Sequence, residues 1–311
     1  MSEGLILADG ETVVYANPAA RSLFGVEEME LLPPQIPRPV DAAPTSATFS
    51  IRHPIEREIR CSATTIDGGQ TLVVAQDVTE SQRIDRIRAD FVANASHEMK
   101  TPVAAILATA ETLQGAVTDD PAAATRFSAT LAKEARRLSV LITDLLDLAR
   151  LDRPPTAQGP VSLSGLGVDA VALLAPLADA KGLEMTAPIE VGLMVRGRAE
   201  DLSAMLRNLI ENAIRYTPTG GRVEVTVRAD AGRARIEVTD SGVGIPAKEL
   251  ARIFERFYRV DPARSRDTGG TGLGLSIVRH VAEAHGGSVR ADSTLGVGST
   301  FTVTLPLEGR A

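Results

Sequence analysis

The stretch Phe91-Val92-Ala93-Asn94-Ala95-Ser96-His97-Glu98-Met99-Lys100-Thr101-Pro102 decides how the middle of this chain is read. Ile84, Ile87 and Phe91, then Val92, Ala95, Met99, Ile106, Ala110 and Leu113, recur at helical spacing and predict one long helix. His97 stands two residues from both Ala95 and Met99. At about 100° per residue it lies roughly opposite the apolar stripe and faces solvent. A neutral imidazole keeps one free ring nitrogen near pH 7, and an exposed one suits in-line attack on phosphorus. Glu98 is adjacent and placed to take a proton as general base. Thr101, one turn on, shares the face of His97. Pro102 removes a backbone N–H, which frees the Glu98 carbonyl and bends the helix. A solvated surface histidine would give the same local pattern, so His97 needs support from elsewhere in the chain. A zinc-protease helix is excluded, because Thr101 stands where a second histidine is required.

Working outward, Thr118-Asp119-Asp120-Pro121 reads as a stop and restart. A second helix follows, with Phe127, Leu131, Leu138, Leu141, Leu145 and Leu148 on one face. A lone hairpin leaves much of these faces in water; pairing two into a four-helix bundle buries them, which predicts a homodimer. Residues 1–78 read as a small α/β unit. Glu11-Thr12-Val13-Val14-Tyr15-Ala16 is strand-like, and Asn17-Pro18 caps a short helix through Leu23. After a proline-rich loop, strand-like runs at Ile55–Ile66 and Thr71–Ala75 are joined by the turn Asp67-Gly68-Gly69.

Arg153-Pro154-Pro155-Thr156-Ala157-Gln158-Gly159-Pro160 is a linker by composition. Beyond it, helical patterns at Leu202–Tyr216 and Gly272–His285 alternate with strands at Arg222–Arg228, Arg233–Asp240, Ser288–Ala291 and Ser299–Leu305, an α+β sandwich of helices on a mixed sheet. The division expected is 1–78, 79–153 and 154–311, a multidomain α+β protein. Aromatics are only 3% and tryptophan is absent, so the cores must be aliphatic and small. A net charge of −7 argues against a general nucleic-acid binder. The single cysteine, Cys61, excludes an internal disulfide framework and reads as a packed thiol in a strand. No apolar run approaches the ~18 residues that span a bilayer, and no signal peptide is visible. The expectation is a cytoplasmic chain with no transmembrane segment, or a piece of a longer membrane-anchored one.

Three further motifs support His97. Asn208, Glu211, Asn212 and Arg215 fall at i, i+3, i+4 and i+7, one polar stripe on an otherwise apolar helix. Mg²⁺ beside a triphosphate takes a few protein oxygens and several waters, and an Asn carbonyl supplies one without adding negative charge. Arg215 is suited to pair with phosphates. Asp240 ends a strand before Ser241-Gly242-Val243-Gly244, and a carboxylate there can accept from an exocyclic amine such as that of adenine, while Gly242 and Gly244 allow a flat ring close to the backbone. Gly269-Gly270-Thr271-Gly272-Leu273-Gly274 opens a helix whose free N–H groups would cradle phosphate. Between them, an Arg-rich segment, 261–267, is read as a lid, with Phe254 and Phe257 either anchoring its near end or serving as plain core residues. There is no Walker A sequence and no eukaryotic kinase signature. His53, in Arg52-His53-Pro54, is read as a loop residue.

Each motif has an ordinary counterpart: an amphipathic surface helix, an Asp-Ser-Gly turn, a flexible glycine loop. Their order over one chain does not. Ser96-His97-Glu98-Met99-Lys100-Thr101-Pro102, Asn208-Leu209-Ile210-Glu211-Asn212-Ala213, Asp240-Ser241-Gly242-Val243-Gly244-Ile245, Phe254-Glu255-Arg256-Phe257-Tyr258 and Gly270-Thr271-Gly272-Leu273-Gly274-Leu275 resemble the phosphoacceptor, N, first glycine, F and second glycine boxes of bacterial two-component sensor histidine kinases. The resemblance covers residues 76–307. Tyr15-Ala16-Asn17-Pro18-Ala19-Ala20 resembles a PAS sensor, and Asp77-Val78-Thr79-Glu80 resembles the join found in phosphate-responsive sensor kinases. The resemblance implies a GHKL-type domain binding ATP, with Asn212, Asn208 and Glu211 as the Mg²⁺ set and adenine at Asp240. It implies that Tyr216, Ile245, Phe254, Phe257 and Leu273 belong to the nucleotide site with their boxes. It implies autophosphorylation of His97, transfer to an aspartate of a response regulator receiver domain, and a phosphatase role for Thr101. Met99-Lys100 and Arg215 depart from the commoner Leu-Arg and Lys while keeping their character. The rival readings are a GHKL ATPase with Glu211 activating water, and a degenerate kinase acting as a scaffold.

Overall fold

The computed structural model describes residues 3–40, 43–51, 56–66, 68–151, 159–261 and 270–308. His53, Asp67, most of the linker (152–158), Gly269 and the lid segment 262–267 lie outside the described residues. Two compact units emerge, Met1–Ala93 and Asn94–Ala311.

The first unit is a five-stranded antiparallel sheet. Its strands are β1 (Gly4–Asp9), β2 (Thr12–Ala16), β3 (Thr45–Ile51), β4 (Arg57–Thr65) and β5 (Thr71–Asp77), in the order β2-β1-β5-β4-β3. Helix α1 (Pro18–Phe24) begins as the sequence predicts: the Asn17 side chain accepts from Ala20 N–H at 2.8 Å, with Pro18 in the first turn. The same oxygen accepts from Leu5 N–H at 3.0 Å, which ties the helix start to β1. Gly25 ends the helix at φ +64. The core is aliphatic and small, as the low aromatic content requires: Ile6, Val13, Ile59 and Val73 are buried with Ala8, Ala20, Ala63 and Ala75. Cys61 is fully buried there, and burial pushes its thiol up to about 11. At the end of β5, Asp77 accepts from Thr79 N–H and Oγ1, and Thr79 Oγ1 accepts from Glu58 N–H. This knot starts α2 (Thr79–Asp119), and the hydrogen bonds from Thr79 hold the Asp77 carboxyl below its ordinary value. Strands β1 and β3 are additions to the sequence reading.

In the second unit, α2 passes through Pro102 without interruption and ends at Asp119, and α3 (Pro121–Leu151) follows. Asp120 accepts from Ala123 N–H at 2.9 Å, a cap at the turn the sequence marks. Beyond come β6 (Gly159–Ser162), α4 (Leu163–Ala180), β7 (Glu184–Thr186), β8 (Met194–Gly197), α5 (Ala199–Tyr216), β9 (Arg222–Asp230), β10 (Arg233–Asp240), α6 (Gly274–Ala284), β11 (Ser288–Thr294) and β12 (Gly298–Pro306). The main sheet runs β11-β12-β10-β9-β7, antiparallel except for β7 alongside β9; β6 and β8 pair separately. Val223, Val225, Val227, Ala234, Ile236 and Val238 alternate inward beneath the helices. On α5, Leu202, Met205, Leu206, Leu209 and Ala213 face them. Cutting Leu206→Ala should cost about 3 kcal/mol, read as a lower urea midpoint for the transition of this unit. Helix α4 is long and apolar enough to cross a membrane by length and composition alone. Asp169 and Asp179 interrupt it, however, and Leu163, Gly167, Ala170, Leu174 and Ala178 form a buried face within the sandwich.

Candidate active site

A cavity of about 630 Å³ opens between α5, the turn after β10, residues 258–261 and the start of α6. From α5 it is lined by Asn208, Glu211, Asn212, Arg215 and Tyr216; from the turn by Asp240, Gly242, Gly244 and Ile245; from the second glycine loop by Gly270, Thr271, Gly272 and Gly274. The three segments meet because α5 packs directly on α6 and on β10. Phe254, Phe257 and Leu273 are not among the lining residues. Leu273 is fully buried, Phe254 packs edge-on against Phe301 with ring centroids 6.5 Å apart, and Phe257 serves through its backbone.

Asp240 is only 7% exposed. Burial pushes its carboxyl above the ordinary value, opposed by the N–H groups of Gly242 and Ser299; the Gly242 bond is 2.8 Å. The glycines have a different reason from the one expected of them. A Cβ at Gly242 would stand 2.6 Å from the Tyr216 carbonyl oxygen, and one at Gly244, where φ is +66, would stand 2.1 Å from the Thr294 oxygen. The chain itself takes the space. At Gly272, φ +76, a Cβ would strike the Phe257 backbone, and Phe257 N–H donates to Gly272 O at 2.8 Å with Phe257 itself at φ +63. The F box and the second glycine loop are therefore locked by main chain.

At the second glycine loop, α6 starts at Gly274, with Leu273 in the capping position, no side-chain cap and no acidic residue in its first turn. Its N–H groups are left for an anion. Asn208 donates through Nδ2 to Ala204 O, which leaves Oδ1 as its acceptor, packed towards Gly274. With Asn212 and Glu211, both half-buried, the donor set is two amide oxygens and one carboxylate. That is a hard-oxygen set of the kind Mg²⁺ accepts when phosphates and waters complete the shell.

His97 is exposed on α2, and Thr101 Oγ1, also exposed, donates to the His97 carbonyl at 3.2 Å. Among the described histidines it alone presents an exposed ring. His285 is buried, taking Arg198 N–H on Nε2 and lying 2.7 Å from Val281 O through Nδ1; His280 contacts Leu151 O at 3.2 Å. Glu98 is held: Arg259 Nη2 donates to it at 2.6 Å, and Arg137 of α3 lies at 3.7 Å. The same Arg259 nitrogen donates to Thr271 O at 3.1 Å, so one guanidinium links the residue after His97 to the second glycine loop. On α3, Asp144 Oδ2 accepts from Thr271 Oγ1 at 2.6 Å, and Asp147 pairs with Arg207 at 3.4 Å. Burial pushes the Asp144 carboxyl up to about 6. The Thr271 hydrogen bond opposes this, the charges of Glu211 and Asp147 add to it, and that of Arg215 opposes it.

Three family models match the chain. Residues 197–309 match "Histidine kinase-, DNA gyrase B-, and HSP90-like ATPase", 87–154 match "His Kinase A (phospho-acceptor) domain", and 1–56 match "PAS domain". The phosphate regulon sensor protein PhoR of Pseudomonas aeruginosa is 32% identical over 320 residues, covering 97% of this chain and 71% of that protein. The chain belongs to the sensor histidine kinase family. The sensor-like histidine kinase SenX3 of Mycolicibacterium smegmatis is 42% identical over 238 residues, 76% of this chain and 62% of that one. The chain thus spans about three fifths of the length of such relatives. Among solved structures, full-length ShkA in complex with AMPPNP matches with a TM-score of 0.51 and 30% identity, over 71% of this chain and 46% of that chain.

Several lining residues of this member of the family were given no site role by the sequence motifs. Val140 and Asp144 come from α3, and Tyr258, Arg259, Leu295 and Phe301 from the sandwich. A signal for Asp144 exists: it is an acidic residue on the buried stripe Leu141, Asp144, Leu148 and Leu151. Arg259 lies outside any helix or strand, so no periodic face signals it, and its partners lie 161 and 12 residues away in sequence.

Proposed function

We propose that this chain is an ATP-dependent protein-histidine kinase that phosphorylates its own His97 and passes the phosphoryl group to an aspartate of a response regulator receiver domain. One observation carries the reading: an exposed histidine whose neighbour Glu98 is tied, through Arg259, to a cavity lined both by a buried acceptor, Asp240, and by an uncapped helix N-terminus. The AMPPNP bound by ShkA supports a nucleotide in the cavity of this chain. Adenine would lie at Asp240 and the phosphates at Thr271 and the N-terminus of α6, with Arg215 beside them. Asn212, Asn208 and Glu211 would hold Mg²⁺, which neutralises phosphate charge when bound. Phosphoryl transfer asks mainly for positioning and charge compensation. The free ring nitrogen of His97 attacks the γ-phosphorus; a P–N bond forms as the bond to the bridging oxygen breaks, and ADP leaves. Glu98, once released by Arg259, takes the proton from the other ring nitrogen. In a separate phosphatase reaction, Thr101 would orient a water that attacks the phosphoaspartate of the regulator, releasing inorganic phosphate and the free carboxylate.

The working form is a homodimer. Val103 and Leu107 on α2, and Ile142 and Leu146 on α3, are exposed in the single chain, and a four-helix bundle would cover them. Residues 1–78 act as sensor, 79–153 as dimerisation and phosphoacceptor unit, and 154–311 as ATP-binding unit, on the cytoplasmic side whether alone or within a longer chain. The test is incubation of the purified chain with γ-labelled ATP and Mg²⁺, followed by acid and alkali. Label on protein that acid removes and alkali spares is the expected result. Steady phosphate release without protein label would replace the reading with that of a GHKL ATPase, and neither label nor turnover would point to a scaffold.

A further inference from the structure

We infer that Asp144, contributed by the phosphoacceptor hairpin, is a nucleotide-selecting residue that makes the docked arrangement of hairpin and sandwich accept a nucleoside diphosphate and disfavour a triphosphate. The inference rests on the nucleotide site proposed above and adds to it a residue from outside the ATP-binding unit.

Asp144 is 7% exposed, lines the cavity, and touches the second glycine loop at Thr271. Its carboxylate accepts from Thr271 Oγ1 at 2.6 Å, and Thr271 Oγ1 in turn accepts from Leu273 N–H at 3.2 Å. The Thr271 hydroxyl thus donates its proton to the hairpin and accepts on its lone pair from the glycine loop's own backbone. The charges that Asp144 feels are Glu211 and Asp147, both acidic, and Arg215. The phosphate end of the cavity therefore carries a second carboxylate besides Glu211, with Arg215 acting on it and Arg259 already held by Glu98 and Thr271 O. A terminal phosphate running from Asp240 towards Thr271 would meet a buried negative charge, in surroundings where water screens it poorly. A diphosphate stops one phosphate short. The docked arrangement is consequently matched to an empty or ADP-loaded site, and a triphosphate favours withdrawal of α3. Its other ties, Asp147 to Arg207, Arg150 to Glu200 and His280 to Leu151 O, lie further along the helix, outside the lining of the cavity.

The test is calorimetric titration of the whole chain with AMPPNP and with ADP, each with Mg²⁺, at pH 8, where a carboxyl at about 6 is ionised. In D144N, whose amide oxygen can still accept from Thr271, AMPPNP binding should tighten about tenfold and ADP binding change less than about twofold. D147N, on the same face but outside the cavity, should show no such selectivity. Equal changes for the two nucleotides in D144N, or the same selective gain in D147N, would overturn the inference. So would weaker AMPPNP binding in D144N, which would make Asp144 a metal-assisting carboxylate. Should the amide unfold the hairpin by circular dichroism, D144S is read in the same way. Binding of neither nucleotide to the unsubstituted chain would remove the nucleotide-site reading itself, and this inference with it.

Discussion

His97→Gln abolishes incorporation of label from γ-labelled ATP, by about a thousandfold or more, while the affinity for ADP stays within about twofold of the parent. The physical grounds are local. The histidine is exposed, so the amide replaces it without a packing cost, and the Thr101 bond reaches the backbone carbonyl rather than the ring. Glutamine has no nitrogen nucleophile of comparable strength, since its lone pair is delocalised into the carbonyl. No described histidine offers a ready substitute: His285 is buried with both ring nitrogens engaged, and His280 is turned to Leu151 O. The cavity lies on other elements and is unaffected. Label retained in the variant would sink the assignment of His97. Loss of ADP affinity together with label would mean that position 97 acts on the fold of the site rather than on the chemistry.

Much of this arrangement is legible in the sequence because it follows from short-range rules. Asn17-Pro18 starts a helix because an Asn oxygen satisfies an orphan N–H three residues on, and the Ala20 bond shows that geometry. The stripe on α5 buries Leu202 through Ala213 and turns Glu211, Asn212 and Arg215 to the cavity, since one helix period decides both faces. What fails to show in the sequence is what depends on distant partners. Strand β1 exists because β2 and β5 flank it, and its few residues carry little signal alone. Helix α4 is nearly all apolar, which hides its period, and only packing separates the buried Leu174 from the exposed Leu173 and Leu177. Gly242 and Gly244 are readable as glycines that must be glycines, yet their cause is the Tyr216 and Thr294 carbonyls, far off in sequence. Glu98 is readable as a base beside His97, whereas its capture by Arg259 and Arg137 appears only when three segments meet.

Asp240→Asn lowers the affinity for ADP about a hundredfold, or about 2.7 kcal/mol, and turns the base preference. The carboxylate is buried, and its Oδ1 is already committed to Gly242 N–H at 2.8 Å. Asparagine can keep the Gly242 bond through its own oxygen, so the turn after β10 should hold, while Ser299 N–H loses a charged acceptor and the thermal midpoint of the unit should fall modestly. The other carboxylate position then becomes an NH₂ donor. An adenine amine, itself a donor, would meet a donor in a buried site where water cannot relieve the mismatch. A 6-oxo purine offers an acceptor at the same position, so IDP should lose far less affinity than ADP, or gain. Titrating both diphosphates into parent and variant reads this as a crossover rather than a uniform loss. Parallel losses for ADP and IDP would assign Asp240 to holding the turn, and unchanged ADP affinity would move the base to another part of the cavity.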